Sequence, residues 1–306
     1  MYVHTIPTYA RFQWINHEYV IRILRRFLHS PERGRKGYDK VLMFRWLMYR
    51  QLMNCSYRDL ESMSGIDHST FIKFRKRLIA HRWLPRVFKI LSSTVAARLD
   101  SITAVIDSSF VETYSRHNEH GSEYSGYKKK NGFKLHQIID YETRLPLLQA
   151  VTPGARADVI WGANLIRGAP PQWNIAGILA DKAYDSWEFV ADIHEKWNGA
   201  RVGIPVRRTP GEKKEPRHPA VIRNRKGKES DRCLTRRFLN KRGEIERYFS
   251  RKKRVFRLGE ERTRTLKNLR ANCRMTSIME ILEWTTNPRL WMPLFSRLGY
   301  EHLTRI

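Results

Sequence analysis

ITAVID, residues 102–107, is the stretch on which the fold turns. Four of its first five residues are Ile, Thr or Val, so Ile102–Ile106 reads as a short buried strand ending at Asp107. Ahead of it the apolar spacing is helical; behind it strands and helices alternate. Residues 111–131 are polar, with Gly121, Gly126 and Lys128–Lys130, which suits a hairpin excursion. Phe133–Tyr141 (FKLHQIIDY) and Leu145–Val151 (LPLLQAV) read as two strands around the turn Glu142-Thr143-Arg144. Asp158–Arg167 is helical in pattern, started by Asp158 and stopped by Gly168 and Pro170-Pro171. Ile175–Ala180 (IAGILA) is a second buried-type strand, and it too ends at an acid, Asp181. Ser186 opens a helix to Trp197, and Ala200–Val206 (ARVGIPV) is a further strand. Three strands with hairpin-length links, then alternation, predict an α/β fold: a mixed sheet covered by helices.

Working outward, residues 38–99 look all-helical. Glu18–His29 has helical spacing and stops at Ser30-Pro31, and Gly34–Gly37 reads as an exposed connection. Asp39 caps a helix to about Asn54. Ser56 caps Tyr57–Met63, which Gly65 ends. Asp67 or Ser69 opens Thr70–Ala80, which carries Lys73, Arg75, Lys76 and Arg77. Two short helices about a Gly turn, the second basic, match a helix-turn-helix in which those four side chains meet DNA; an ordinary helical pair has the same pattern. Residues 260–286 form a last helix, and the tail 287–306 holds Leu290, Trp291, Met292 and Phe295. The expected organisation is a helical DNA-binding region at 1–100, a core at 101–260 and a helical segment at 261–306.

The chain has 306 residues, is 41% hydrophobic and carries a formal charge of +28. A core is affordable in composition, and the charge points to a polyanionic partner, nucleic acid before anionic membrane. Arg207–Arg257 holds 20 Lys and Arg against 6 Asp and Glu, so a basic loop at 207–240 is expected to order on nucleic acid. No run of 18 apolar residues and no signal segment is present, so no membrane partner is expected. Cys55, Cys233 and Cys273 are too scattered for a disulfide framework or a zinc site, which fits a reducing, cytoplasmic setting.

A third acid stands out at residues 242–253, RGEIERYFSRKK. At about 100° per residue, Arg242, Glu246 and Lys253 lie within about 40° of one another, beside an apolar arc of Ile245, Tyr248, Phe249 and Phe256. Alone, Glu246 reads as a helical ion pair with Arg242, worth about 0.2–0.5 kcal/mol. Alone, Asp107 and Asp181 read equally as caps of the turns that follow them. Together, two acids at strand ends and one on a later helix can converge on the crevice at the end of a sheet. At about 5 Å and an effective dielectric near 20, each pair repels by about 3 kcal/mol. Hard divalent cations remove that cost, and oxygen ligands select Mg²⁺ or Mn²⁺, two of which support displacement at a phosphodiester.

These segments resemble the DDE transposases of bacterial and archaeal insertion sequences, with an RNase H-like catalytic core. The resemblance is closest to the branch whose last acid lies in a Tyr-x2-Arg-x3-Glu-x6-Lys signature. Arg242, Glu246 and Lys253 match it in residue and spacing, while Leu239 stands at the tyrosine position. VIDSSF at 105–110, GFKLH at 132–136, VTPGARADV at 151–159, LADKAYDS at 179–186 and IERYFSRKKRVFRL at 245–258 also match. SYRDLESMSGIDHSTFIKFRKRL at 56–78 is similar to the family's N-terminal DNA-binding region. The resemblance implies Asp107, Asp181 and Glu246 as catalytic, metal-holding acids with Mg²⁺ or Mn²⁺, in two copies. It implies water-driven nicking of element ends in double-stranded DNA, then attack of the freed 3′-hydroxyls on target DNA by a homodimer or larger assembly. Arg242 and Lys253 would contact phosphates, with Lys134 and His136 on the neighbouring strand; a packed or surface histidine is the favoured reading of His136. Glu112, His117, His120 and Asp185 are further polar residues near the acids. Trp161, Trp173, Trp187 and Trp197 read as core or interface. A nuclease of the same fold and a catalytically silent DNA-binding regulator are the alternatives, the second disfavoured by the presence of all three acids.

Overall fold

The computed structural model describes residues 5–28, 37–116, 119–205, 238–260 and 263–286. The basic loop expected at 207–240 lies outside them up to residue 237, as do His117, Cys233, most of the 34–37 connection and the tail 287–306. The chain forms two compact units. One comprises described residues within Met1–Leu91, Lys253–Glu261 and Ala271–Ile306; the other, Ser92–Lys252 and Arg262–Arg270. These bounds differ from the three consecutive segments expected, since the last helix contributes to both.

The first unit is helical: α1 (Glu18–Leu28), α2 (Lys40–Met53), α3 (Tyr57–Ser64), α4 (His68–Ala80), most of α5 (Trp83–Ala96), and α9 (Leu266–Thr286) from Ala271 onward. Its caps follow the local chemistry of the sequence. Asp39 accepts from the Val41 N–H at 2.8 Å, and Ser56 with Asp59 closes a capping box. Gly65 ends α3 at φ 71°, a conformation open to glycine at little cost, and Asp67 caps α4. α2 is buried on every side. Even Arg45 is buried, donating from Nε to the Ile15 carbonyl at 2.9 Å.

The second unit is a six-stranded mixed sheet with helices. β1 (Ile102–Glu112) is central. β3 (Lys130–Asp140) runs antiparallel on one side, and β5 (Ile175–Leu179) runs parallel on the other. β6 (Arg201–Gly203) continues parallel to β5; β4 (Pro146–Pro153) and the short β2 (Glu123–Ser125) pair antiparallel with β3. α6 (Asp158–Gly168), α7 (Trp187–Lys196) and α8 (Gly243–Arg254) complete the set used below. The sheet is the mixed one expected, with one correction. β1 does not end at Asp107 but continues to Glu112, because Ser109 and Val111 keep facing the core while 108–112 pair with 132–136. Nor do the expected acid and hydroxyl caps of α6 and α7 form. Ala157 precedes α6, and Ser186 makes no side-chain cap bond.

Candidate active site

The parallel pairing of β1 and β5 ends at Val105 and Leu179, which are register partners. Asp107 and Asp181 each stand two residues further along. Two residues is one strand period, and neighbouring strands lie about 4.8 Å apart, so the two acids sit side by side. Asp181 keeps extended backbone, φ −79° and ψ 175°. The turn-capping readings are real as well: Asp107 Oδ1 accepts from Ser108 N–H at 2.7 Å, and Asp181 Oδ1 from Ala183 N–H at 2.8 Å. Each bond occupies one carboxylate oxygen and leaves the other open.

Burial pushes the Asp107 carboxyl up to about 6. The Ser108 N–H opposes that shift, Asp181 and Asp158 add to it, and the Arg242 guanidinium again opposes it. Asp158 is the first residue of α6, and its carboxylate is held by Lys134 Nζ at 3.0 and 3.2 Å. Tyr184 follows Asp181 by one turn and is fully buried; Asp107, Asp158 and Asp181 all act on its hydroxyl.

α8 brings the third acid. Ile245, Tyr248 and Phe249 bury its apolar arc, and Lys252 is buried with its Nζ donating to Tyr248 Oη at 2.8 Å. Glu246 remains outside, its side chain 63% exposed and 3.4 Å from Arg242, one residue ahead of the helix. That is the helical ion pair read from spacing alone. Arg242 therefore serves two acids, paired to Glu246 and acting on Asp107. Lys253 is exposed on the same helix.

Of the other expected contacts, three are committed within the protein. His136 is fully buried, with Nε2 2.9 Å from Thr152 Oγ1 and its ring stacked on Trp161, which corrects its placement at DNA. The register explains this: Asp107 faces Gln137, so His136 turns to the face that α6 covers. Burial lowers His136 to about 4, so it is neutral at pH 7. Lys134 is spent on Asp158 and on the Arg156 carbonyl at 2.9 Å. Arg75 donates to Asn272 Oδ1 at 2.6 Å. Lys73, Lys76 and Arg77 are exposed along one side of α4, opposite buried Phe71 and Leu78. Glu112 pairs with Lys130 at 2.6 Å, and Trp187, read as core or interface, is 54% exposed.

Among the described residues, one group of acids and histidines gathers its ligand atoms within 4.8 Å of one another: Glu61, Asp67 and His68, at the turn between α3 and α4. Asp107, Asp181 and Glu246 do not draw together that closely. Asp158 and Tyr184 are the residues that sequence reasoning missed. Both lie in quoted motifs, VTPGARADV and LADKAYDS, but a helix start and an aromatic carry no signal of an acid site.

No described helix is long and apolar enough to cross a membrane. The family described as the transposase DDE domain matches residues 99–279, more than half of the chain. No curated protein matches it.

Proposed function

This chain belongs to the transposase DDE domain family, and from that premise we propose that Asp107, Asp181 and Glu246 are its catalytic acids. It is a transposase, its partner is DNA, and its mixed sheet fits the RNase H-like DDE fold. The family generally works with divalent metal ions. The observation that carries the acid assignment is the pair Asp107 and Asp181, one strand period beyond a shared register position, with Asp107 held up at about 6. Such a pair suits a hard cation. Its donors are oxygen, each acid keeps an oxygen open, and the ionised state needs positive charge to be stable.

On this reading Arg242 supplies part of that charge in the protein alone, and Glu246 is the acid it holds ready. Mg²⁺ or Mn²⁺, bound by the three acids in two copies, would stabilise charge at the scissile phosphate and make water a better nucleophile. Arg242 and Lys253 would hold the flanking phosphates, the first as a planar fork and the second as a point charge. Water opens the phosphodiester at an element end, and the freed 3′-hydroxyl attacks target DNA. The helical region before residue 100 would bind DNA through Lys73, Lys76 and Arg77 on α4. Two ends must be held at once, so the working form is a homodimer or larger.

The test is a Mg²⁺- or Mn²⁺-dependent cleavage and strand-joining assay on the DNA ends that flank the coding sequence, with wild type and Glu246→Gln. Cleavage and joining, both lost in the variant, are expected. Cleavage without joining would make the protein a nuclease, and salt-sensitive binding without cleavage a regulator.

A further inference from the structure

The reading above gives Tyr184 no role, yet its surroundings are built around it. Its ring is 0% exposed and lies 5.6 Å, centroid to centroid, from that of Phe189. α6 passes it with Gly162, where a Cβ would come within 2.7 Å of the tyrosine ring. Its backbone N–H donates to the Asp181 carbonyl at 3.1 Å, which fixes it to the same turn as the acid. Phenylalanine would fill this slot equally well. The hydroxyl adds nothing to the packing, and Oη has no hydrogen-bond partner among the described residues. A buried hydroxyl left unserved is destabilising. Three carboxylates, Asp107, Asp158 and Asp181, are its electrostatic neighbours, and none of them is within hydrogen-bond reach. An unserved donor three residues after Asp181, in the turn that Asp181 itself caps, is placed for a role beyond packing.

We propose that Tyr184 is a positioning residue of the acid site, its Oη hydrogen-bonding an oxygen in the shell of the divalent cation that Asp107 and Asp181 take up. The inference rests on the acid assignment made above. Small hard cations keep several waters when bound by few carboxylates, and those waters need fixed partners. Groups that orient a metal's shell without touching the metal typically change its affinity by about 10–100-fold when removed. Asp158 cannot take that part freely, since Lys134 already holds it.

The test compares Mn²⁺ binding by calorimetry, and melting with and without Mn²⁺, in the full chain and in Tyr184→Phe and Asp107→Asn. Tyr184→Phe is expected to weaken Mn²⁺ binding about tenfold. It should melt no lower than wild type without metal, because it removes an unserved hydroxyl, and should gain less from Mn²⁺. A merely structural tyrosine would do the reverse, lowering the metal-free melting point and leaving Mn²⁺ affinity unchanged. Unchanged Mn²⁺ affinity in Tyr184→Phe, with Asp107→Asn weakened, would overturn the inference and leave the acid site standing. Unchanged affinity in Asp107→Asn, or no uptake by wild type, would overturn both.

Discussion

Asp107 is the side chain whose ionisation the fold resists. An unfolded carboxyl ionises near about 3.9, whereas burial holds this one at about 6. Between those values the folded chain binds more protons than the unfolded one, so stability falls as pH rises from about 4 to 6 and stays low above. Asp107→Asn lacks that loss. In metal-free urea titrations it should be more stable than wild type at pH 8, by at most about 3 kcal/mol, and the difference should shrink as pH falls through 6 towards 4. Mg²⁺ should narrow the gap at pH 8 by stabilising wild type alone. Local chemistry was legible at this scale: Asp39, Ser56 and Gly65 act through neighbours two to four residues away, and their caps are where the sequence puts them. The partners of His136, Lys134 and Arg75 were not legible, because Thr152, Asp158 and Asn272 come from remote stretches.

Among elements, α8 matters most, since it carries Glu246, and its attachment to the sheet is electrostatic as well as apolar. Glu244, its side chain 11% exposed, pairs with Arg144 of the β3–β4 turn at 2.8 Å and with Arg247. Lys241 lies over the Tyr141 ring at 4.4 Å, near the same turn. Glu244→Ala should cost about 1 kcal/mol or less in urea denaturation, because Arg144 and Arg247 are both more than half exposed and water serves them once the carboxylate is gone. Amide exchange along α8 should quicken more than along β1. Gly162→Ala drives a methyl into the Tyr184 and Phe189 rings and should cost about 1–3 kcal/mol despite the better helix propensity of alanine. The sequence located these elements well and their ends less so. Asp107 looked like a strand terminus because an acid interrupts an apolar run. It is tolerated inside β1 because β5 stops pairing at Val105 and leaves that flank open. Asp158 looked like a helix cap because no local pattern reveals Lys134 on β3.

For the molecule as a whole, the charge of +28 makes DNA affinity steeply salt-dependent. On the proposed role of α4, replacing Lys73, Lys76 or Arg77 with Ala should each reduce the slope of log K against log salt by about 1 in a fluorescence-anisotropy titration. Arg75→Ala should leave that slope alone and lower the melting temperature, since its guanidinium serves Asn272. Composition alone revealed the polyanion partner. The two-unit division was not legible, because it depends on α9 meeting helices almost 200 residues earlier, as Asn272 does Arg75. The strand order also sets a timetable. β1 meets β3 across residues 113–129, and β4 joins β3 through the turn at 141–145, but the other edge of β1 waits for β5. Glu246 trails Asp107 by 139 residues, 246 minus 107. At about 5–20 residues per second, a ribosome needs roughly 7–28 s to cross that interval. A message broken or a ribosome stalled there releases a chain with the basic stripe of α4 and an incomplete set of acids. Such a fragment also lacks α9, which supplies the helical unit from Ala271 onward, so neither unit is complete until the last stretch of the chain has been made.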